Sequence, residues 1–203
     1  MASREFWSLP GALSAWVTGL FIALVLAVCA VPVQAREYPA EQQRLEKFFP
    51  GASVSAAEGD YQVRTITKGD EVLGYAFQSI NVVDIPAYSG KSINMQVLLD
   101  PKGVIVDAYV LEHHEPILLI GIPEEELHAF NAKYQGIHVD QRVVVGRSRD
   151  ENAVTIDAVT GATVTVMVVN EIVMRAAHDV AVSLGLVESK AGVAQKPATV
   201  RAD

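Results

Sequence analysis

Residues 157–165 read Asp157-Ala158-Val159-Thr160-Gly161-Ala162-Thr163-Val164-Thr165, and they come directly after the β-branched run Ala153-Val154-Thr155-Ile156. Behind them, Val166, Val169, Val173, Ala177 and Val180 recur at helical spacing, while Glu171, Arg175, His178 and Asp179 define a wet face. The stretch is therefore a loop between a strand and the start of a long helix, which runs to about residue 184 before Gly185. A helix start exposes N–H groups without intrahelical partners at the positive end of the macrodipole, so an anion placed there is stabilised. Gly161 lets the backbone approach such an anion and Ala162 keeps the approach clear. Thr160, Thr163 and Thr165 add three hydroxyls, any one of which could carry a phosphate covalently. A plain N-cap role for Thr160 or Thr163 is the competing reading.

Two hairpins precede the loop. Residues 61–67 and 71–79 alternate around the turn Lys68-Gly69-Asp70, and residues 93–99 and 104–111 flank Asp100-Pro101-Lys102-Gly103. Residues 39–49 read as a short amphipathic helix, stopped by Pro50-Gly51 and expected to pack on the domain's edge. Pro123-Glu124-Glu125-Glu126 opens another helix, which passes through Leu127, Phe130 and Tyr134 and stops at Gly136. Val143-Val144-Val145 is a further short strand. The class expected is α+β: a mainly antiparallel sheet built from the two hairpins, with packed helices on it.

The chain has 203 residues and a formal charge of −8. An acidic chain without clustered Lys and Arg repels phosphate backbones, which argues against nucleic-acid binding. Arg4, followed by the apolar residues 13–33, marks residues 1–35 as a signal peptide or membrane anchor; Val33-Gln34-Ala35 resembles a cleavage site. Cys29, the single cysteine, falls in that leader, so a chain starting at Arg36 has no thiolate for a disulfide, metal or iron–sulfur site. Redox chemistry would then need a borrowed cofactor. Residues 36–187 form the expected domain, and residues 188–203, rich in Lys, Ala, Gly, Pro and Thr, a polar linker.

Thr160-Gly161-Ala162-Thr163, with Asp157 before it and Thr165 after it, resembles the flavinylation motif of the FMN-binding domains in RnfG and NqrC subunits. The segments Glu112-His113-His114-Glu115-Pro116-Ile117-Leu118-Leu119-Ile120-Gly121-Ile122-Pro123 and 164–177 are similar to the NosR/NirI family, membrane flavoproteins that support nitrous oxide reductase in denitrifying bacteria. The resemblance implies FMN held covalently by a phosphoester to Thr163, installed by a flavin transferase from FAD with magnesium. It also implies that Thr160, Gly161, Ala162 and Thr165 form the phosphate nest, with Asp157 supporting the motif. Ala87-Tyr88-Ser89-Gly90 resembles the family's Gly-Tyr-x-Gly segment, and Glu115-Pro116 its His-x-Glu-Thr-Pro-Gly element. Tyr88, Glu115 and Pro116 are accordingly expected around the flavin ring. Ala87 and Ile117 depart from the family pattern, standing where it has a glycine and a small residue.

Leader and resemblance together imply an exported flavoprotein at the periplasmic face of the bacterial inner membrane, more an electron carrier than an enzyme with its own substrate. Membrane electron-transfer modules, and nitrous oxide reductase or its assembly factors, are its expected partners. A non-redox sensory or interaction domain is the alternative. His113 and His114 also invite a metal reading, but side chains adjacent on a strand point to opposite faces, so none is assigned. A flavin-dependent reductase would need an acid or base at a substrate pocket, and only His113, His114 and Glu115 are on offer.

Overall fold

A computed structural model describes residues 38–188. The leader and all of the linker beyond Glu188 lie outside the described residues. The elements in chain order are α1 (Pro39–Phe48), β1 (Ser53–Val54), β2 (Arg64–Lys68), β3 (Glu71–Gln78), a 3-10 turn (Ser79–Asn81), β4 (Asn94–Leu99), β5 (Ile105–Glu112), α2 (Pro116–Ile120), α3 (Glu124–Ala132), β6 (Val143–Val145), β7 (Val154–Ile156) and α4 (Thr163–Ser183). Strands β1 to β5 form one antiparallel meander in sequence order, and β6 pairs with β7 in a separate parallel ribbon. The α+β class holds.

Both faces of the sheet are covered, which explains why every residue of β4 is buried. Side chains alternate across a strand. Met95, Val97 and Leu99 enter the main core with Phe77, Ile105 and the buried stripe of α4. Leu98 points the other way, into a smaller cluster with Leu45, Ile66 and Ala76. Helix α1 therefore lies over the second face of the sheet, and the expectation of an edge position is corrected. Polar anchors hold it there. Glu41 pairs with Arg64 of β2 and accepts from Gln78 Nε2 of β3 at 3.2 Å. Arg44 donates through Nε to Asp107 of β5 at 2.7 Å and through Nη2 to the other carboxylate oxygen, while its guanidinium lies 4.9 Å from the Tyr109 ring centroid. A short amphipathic pattern alone does not reveal partners on several different strands.

Helix α4 is rich in valine, which costs a few tenths of a kcal/mol per residue in helix propensity. Packing decides the outcome: Val166, Val169, Ile172, Val173 and Val180 are buried, and each such side chain contributes about 1.5–3 kcal/mol when removed from water. The helix stops where expected. Gly185 takes φ +70°, its N–H donates to Val182, and the Leu186 N–H donates back to Ala181, the paired bonds of a Schellman cap. Tyr134, with its phenol pushed up by burial, donates to Asn170 of α4 at 3.2 Å. Asn170 in turn donates to the Val143 carbonyl of β6 at 3.3 Å. This relay fixes the ribbon that leads into the 157–162 loop.

Candidate functional site

The loop behaves as its residues dictate. Its Ala162 N–H donates to the Val159 carbonyl, Gly161 takes φ +84°, and nothing lies within 4 Å of where a Cβ would stand at that glycine. An L side chain would be strained there, and the backbone is left open to an approaching group. Ala162 is the N-cap of α4 and supplies no side-chain cap bond. Neither Thr160 nor Thr163 caps the helix, so the competing reading of those threonines is not what the structure shows. Thr160 and Gly161 are exposed, and Thr163 is exposed at the first helical position. Asp157 is 99% exposed, with Lys133 Nζ 3.8 Å from its carboxylate and 3.5 Å from its carbonyl oxygen.

Thr165 turns inward instead. It is buried, and its hydroxyl donates to Glu115 Oε2 at 3.1 Å, so it braces the loop from beneath while Thr163 faces out. Glu115 is itself fully buried and accepts the Ser89 N–H on Oε1 at 2.8 Å. One carboxylate thus joins three segments that are far apart in sequence: the Tyr88 loop, the start of α2 and the first turn of α4. Burial pushes the Glu115 carboxyl up, but the Ser89 N–H and hydroxyl, the Thr165 hydroxyl and the Tyr88 N–H outweigh it and hold the group below the usual range. The acid is therefore ionised at neutral pH, close to the positive end of α4.

Tyr88 stands 78% exposed at the tip of a tight turn, closed by the Gly90 N–H on the Ala87 carbonyl and the Ala87 N–H on the Lys91 carbonyl. Ala87 has no positive φ, so its methyl replaces the family's glycine without strain. Pro116 opens α2, with Glu115 as N-cap, and Ile117 is half-buried in that helix. Because β5 ends at Glu112, His113 and His114 lie beyond the strand. Strand alternation therefore does not govern where they point, and that expectation is corrected.

Glu115, Thr165 and the Tyr88 loop are joined directly, and Thr163 lies two residues from Thr165 on the same first turn. Sequence reasoning missed Ser89, which reaches Glu115 through both its backbone N–H and its hydroxyl. It also missed Leu119, Val164 and Met167, which are exposed on the same segments. The latter two carried a legible sign: they are apolar residues off the core stripe of α4.

The family described as FMN-binding domain matches residues 88–178. That span opens on Tyr88 and contains Glu115, Pro116 and the whole 157–165 loop, so the class defined here is an α+β FMN-binding domain. Over 203 residues the chain is 77% identical to the regulatory protein NosR of Stutzerimonas stutzeri, covering all of this chain and 28% of that protein. It is 68% identical over 162 residues to the regulatory protein NosR of Pseudomonas aeruginosa, covering 79% of this chain and 23% of that one. Protein NirI of Paracoccus denitrificans is 26% identical over 184 residues, covering 88% of this chain and 26% of NirI. The chain belongs to the NosR/NirI family, and it spans about a quarter of the length of these curated relatives. The crystal structure of Shewanella oneidensis NqrC is similar at 20% identity and a TM-score of 0.39, covering 64% of this chain and 63% of that one.

Proposed function

We propose that the domain carries FMN as a phosphoester on Thr163 and acts as an electron-transfer domain, exported to the periplasmic face of the bacterial inner membrane. The observation that carries this reading is Thr163 itself, an exposed hydroxyl on an uncapped helix N-terminus behind an open glycine turn. The residues present fit the group. Backbone N–H groups of the first turn and the Gly161 approach suit a phosphate, and exposed apolar side chains around them suit a ring. In the attachment, the Thr163 oxygen bonds to the phosphorus of the FMN half of FAD, the pyrophosphate P–O bond breaks, AMP leaves and the hydroxyl proton passes to a base. A flavin transferase supplies that catalysis. Bound FMN supplies reversible electron transfer; the protein holds and shields it. A tether prevents loss of the flavin by dilution outside the cytoplasm.

The partners that the family likeness implies are membrane electron-transfer modules, with nitrous oxide reductase or its assembly factors as the beneficiary in denitrification. A second reading, a non-redox sensory or interaction domain, is favoured by the name of the relatives, regulatory protein. Redox titration of the flavin-loaded protein separates the two. The carrier reading expects reversible bleaching by a small reductant and recovery with an acceptor, in proportion to the bound flavin. Flavin that stays oxidised across the range of biological donors supports the sensory reading instead.

A further inference from the structure

Singly exposed apolar residues are ordinary on any protein surface and call for no explanation. Here, four large ones gather on the segments that Glu115 ties together: Tyr88 at 78% exposure, Leu119 at 70%, Val164 at 60% and Met167 at 55%. Val164 and Met167 are three apart on α4 and share its outward face with Thr163, opposite the buried stripe. Further along the helix, that face becomes polar at Glu171 and Arg175. The apolar part is therefore confined to the first turn and a half, beside the attachment residue. Met167 lies about 6 Å along the helix axis from Thr163, at 1.5 Å rise per residue.

We propose that Val164 and Met167 form the seat on which the isoalloxazine ring of the Thr163-bound FMN lies, with Tyr88 and Leu119 at its edges. The proposal rests on the reading that Thr163 carries the flavin. The occupant is a ring and not a protein because four side chains fall far short of the roughly 1,000 Å² that a specific protein interface buries. A ring tethered at Thr163 meets this face first, and a methionine thioether and a tyrosine ring both make favourable contacts with aromatic systems. Glu115 contributes by holding the Tyr88 loop against the first turn of α4.

The test uses the full chain exported with a flavin transferase, comparing wild type with a Val164→Ser, Met167→Gln double variant and with Met167→Ala. All three substitutions are at exposed positions outside the core, so folding is expected to persist. Intact mass reports attachment, and iodide quenching of flavin fluorescence reports shielding. The expected result is attachment retained, with quenching raised several-fold in the double variant and by less in Met167→Ala. An Ile80→Gln control, at an exposed apolar residue on another segment, should leave quenching unchanged. Loaded variants quenched like wild type would overturn the seat while leaving attachment intact. Wild type without flavin would overturn attachment, and the seat with it.

Discussion

Glu115→Ala is expected to lower the unfolding free energy by roughly 2–4 kcal/mol, because it strands a buried hydroxyl at about 1–3 kcal/mol, leaves a half-buried N–H without its acceptor and opens a cavity. The stranded groups are those of Ser89 and Thr165. Urea denaturation followed by circular dichroism gives the number; a loss under about half a kcal/mol would contradict the bracing role. Glu115→Gln keeps the shape and removes the charge, so the loss should be smaller. The pH dependence is set by the direction of the shift. A carboxyl held low in the folded state stabilises fully above its unfolded value, and that contribution disappears as pH falls through the lower folded value. The advantage of wild type over Glu115→Gln is therefore constant near neutrality and shrinks below about pH 4, where unfolded carboxyls begin to protonate. An advantage that grew in acid would contradict this assignment.

The second large effect is expected at Asp107, far from the loop. It is 1% exposed and accepts both Arg44 bonds and one from Gln135 Nε2 at 3.2 Å. Asp107→Ala leaves the Arg44 guanidinium over the sheet without its carboxylate. Breaking a buried pair from one side costs about 3–5 kcal/mol, and the residual exposure of Arg44 places the expectation near the lower end, about 3 kcal/mol. Replacing both partners, as in Asp107→Leu with Arg44→Met, should recover most of the loss, since an apolar pair needs no desolvation of charge. A double variant no better than Asp107→Ala would show that the pair does more than satisfy itself. The readout is the urea midpoint together with protease sensitivity of α1.

What was legible in the sequence was local. Lys68-Gly69-Asp70 and Asp100-Pro101-Lys102-Gly103 announce their hairpins because turn chemistry is written in neighbouring residues. Helix α4 shows its core stripe because the 3.6-residue periodicity of a helix survives over 21 residues, and its end because Gly185 is the residue that a left-handed cap prefers. The two-residue β1, the five-residue α2 and the separation of β6 and β7 into their own parallel ribbon were not legible, being too short for a period to register. The placement of α1 was missed for a different reason. Glu41 and Arg44 look like surface charges until the strands that carry Arg64 and Asp107 are brought beneath them.

The candidate site divides along the same line. Gly161, Ala162 and Thr163 could be read together because one strand-loop-helix junction contains them. The role of Thr165 could not, since its hydroxyl is taken by an acid 50 positions away, which also holds an N–H 26 positions from itself in the other direction. A short motif conveys which residue faces the ligand; contacts at that separation convey what holds it in place.

Attachment of FMN to Thr163 is read out by the intact mass of the exported chain. The protein is produced with a flavin transferase, alongside Thr163→Val and a second flavinylated substrate that shows the transferase to be competent. A mass increase equal to one FMN less water is expected in wild type, mapped to the peptide containing Thr163, and none in the valine variant. Wild type of unmodified mass beside a fully loaded control substrate, or a modified Thr163→Val chain, would contradict it.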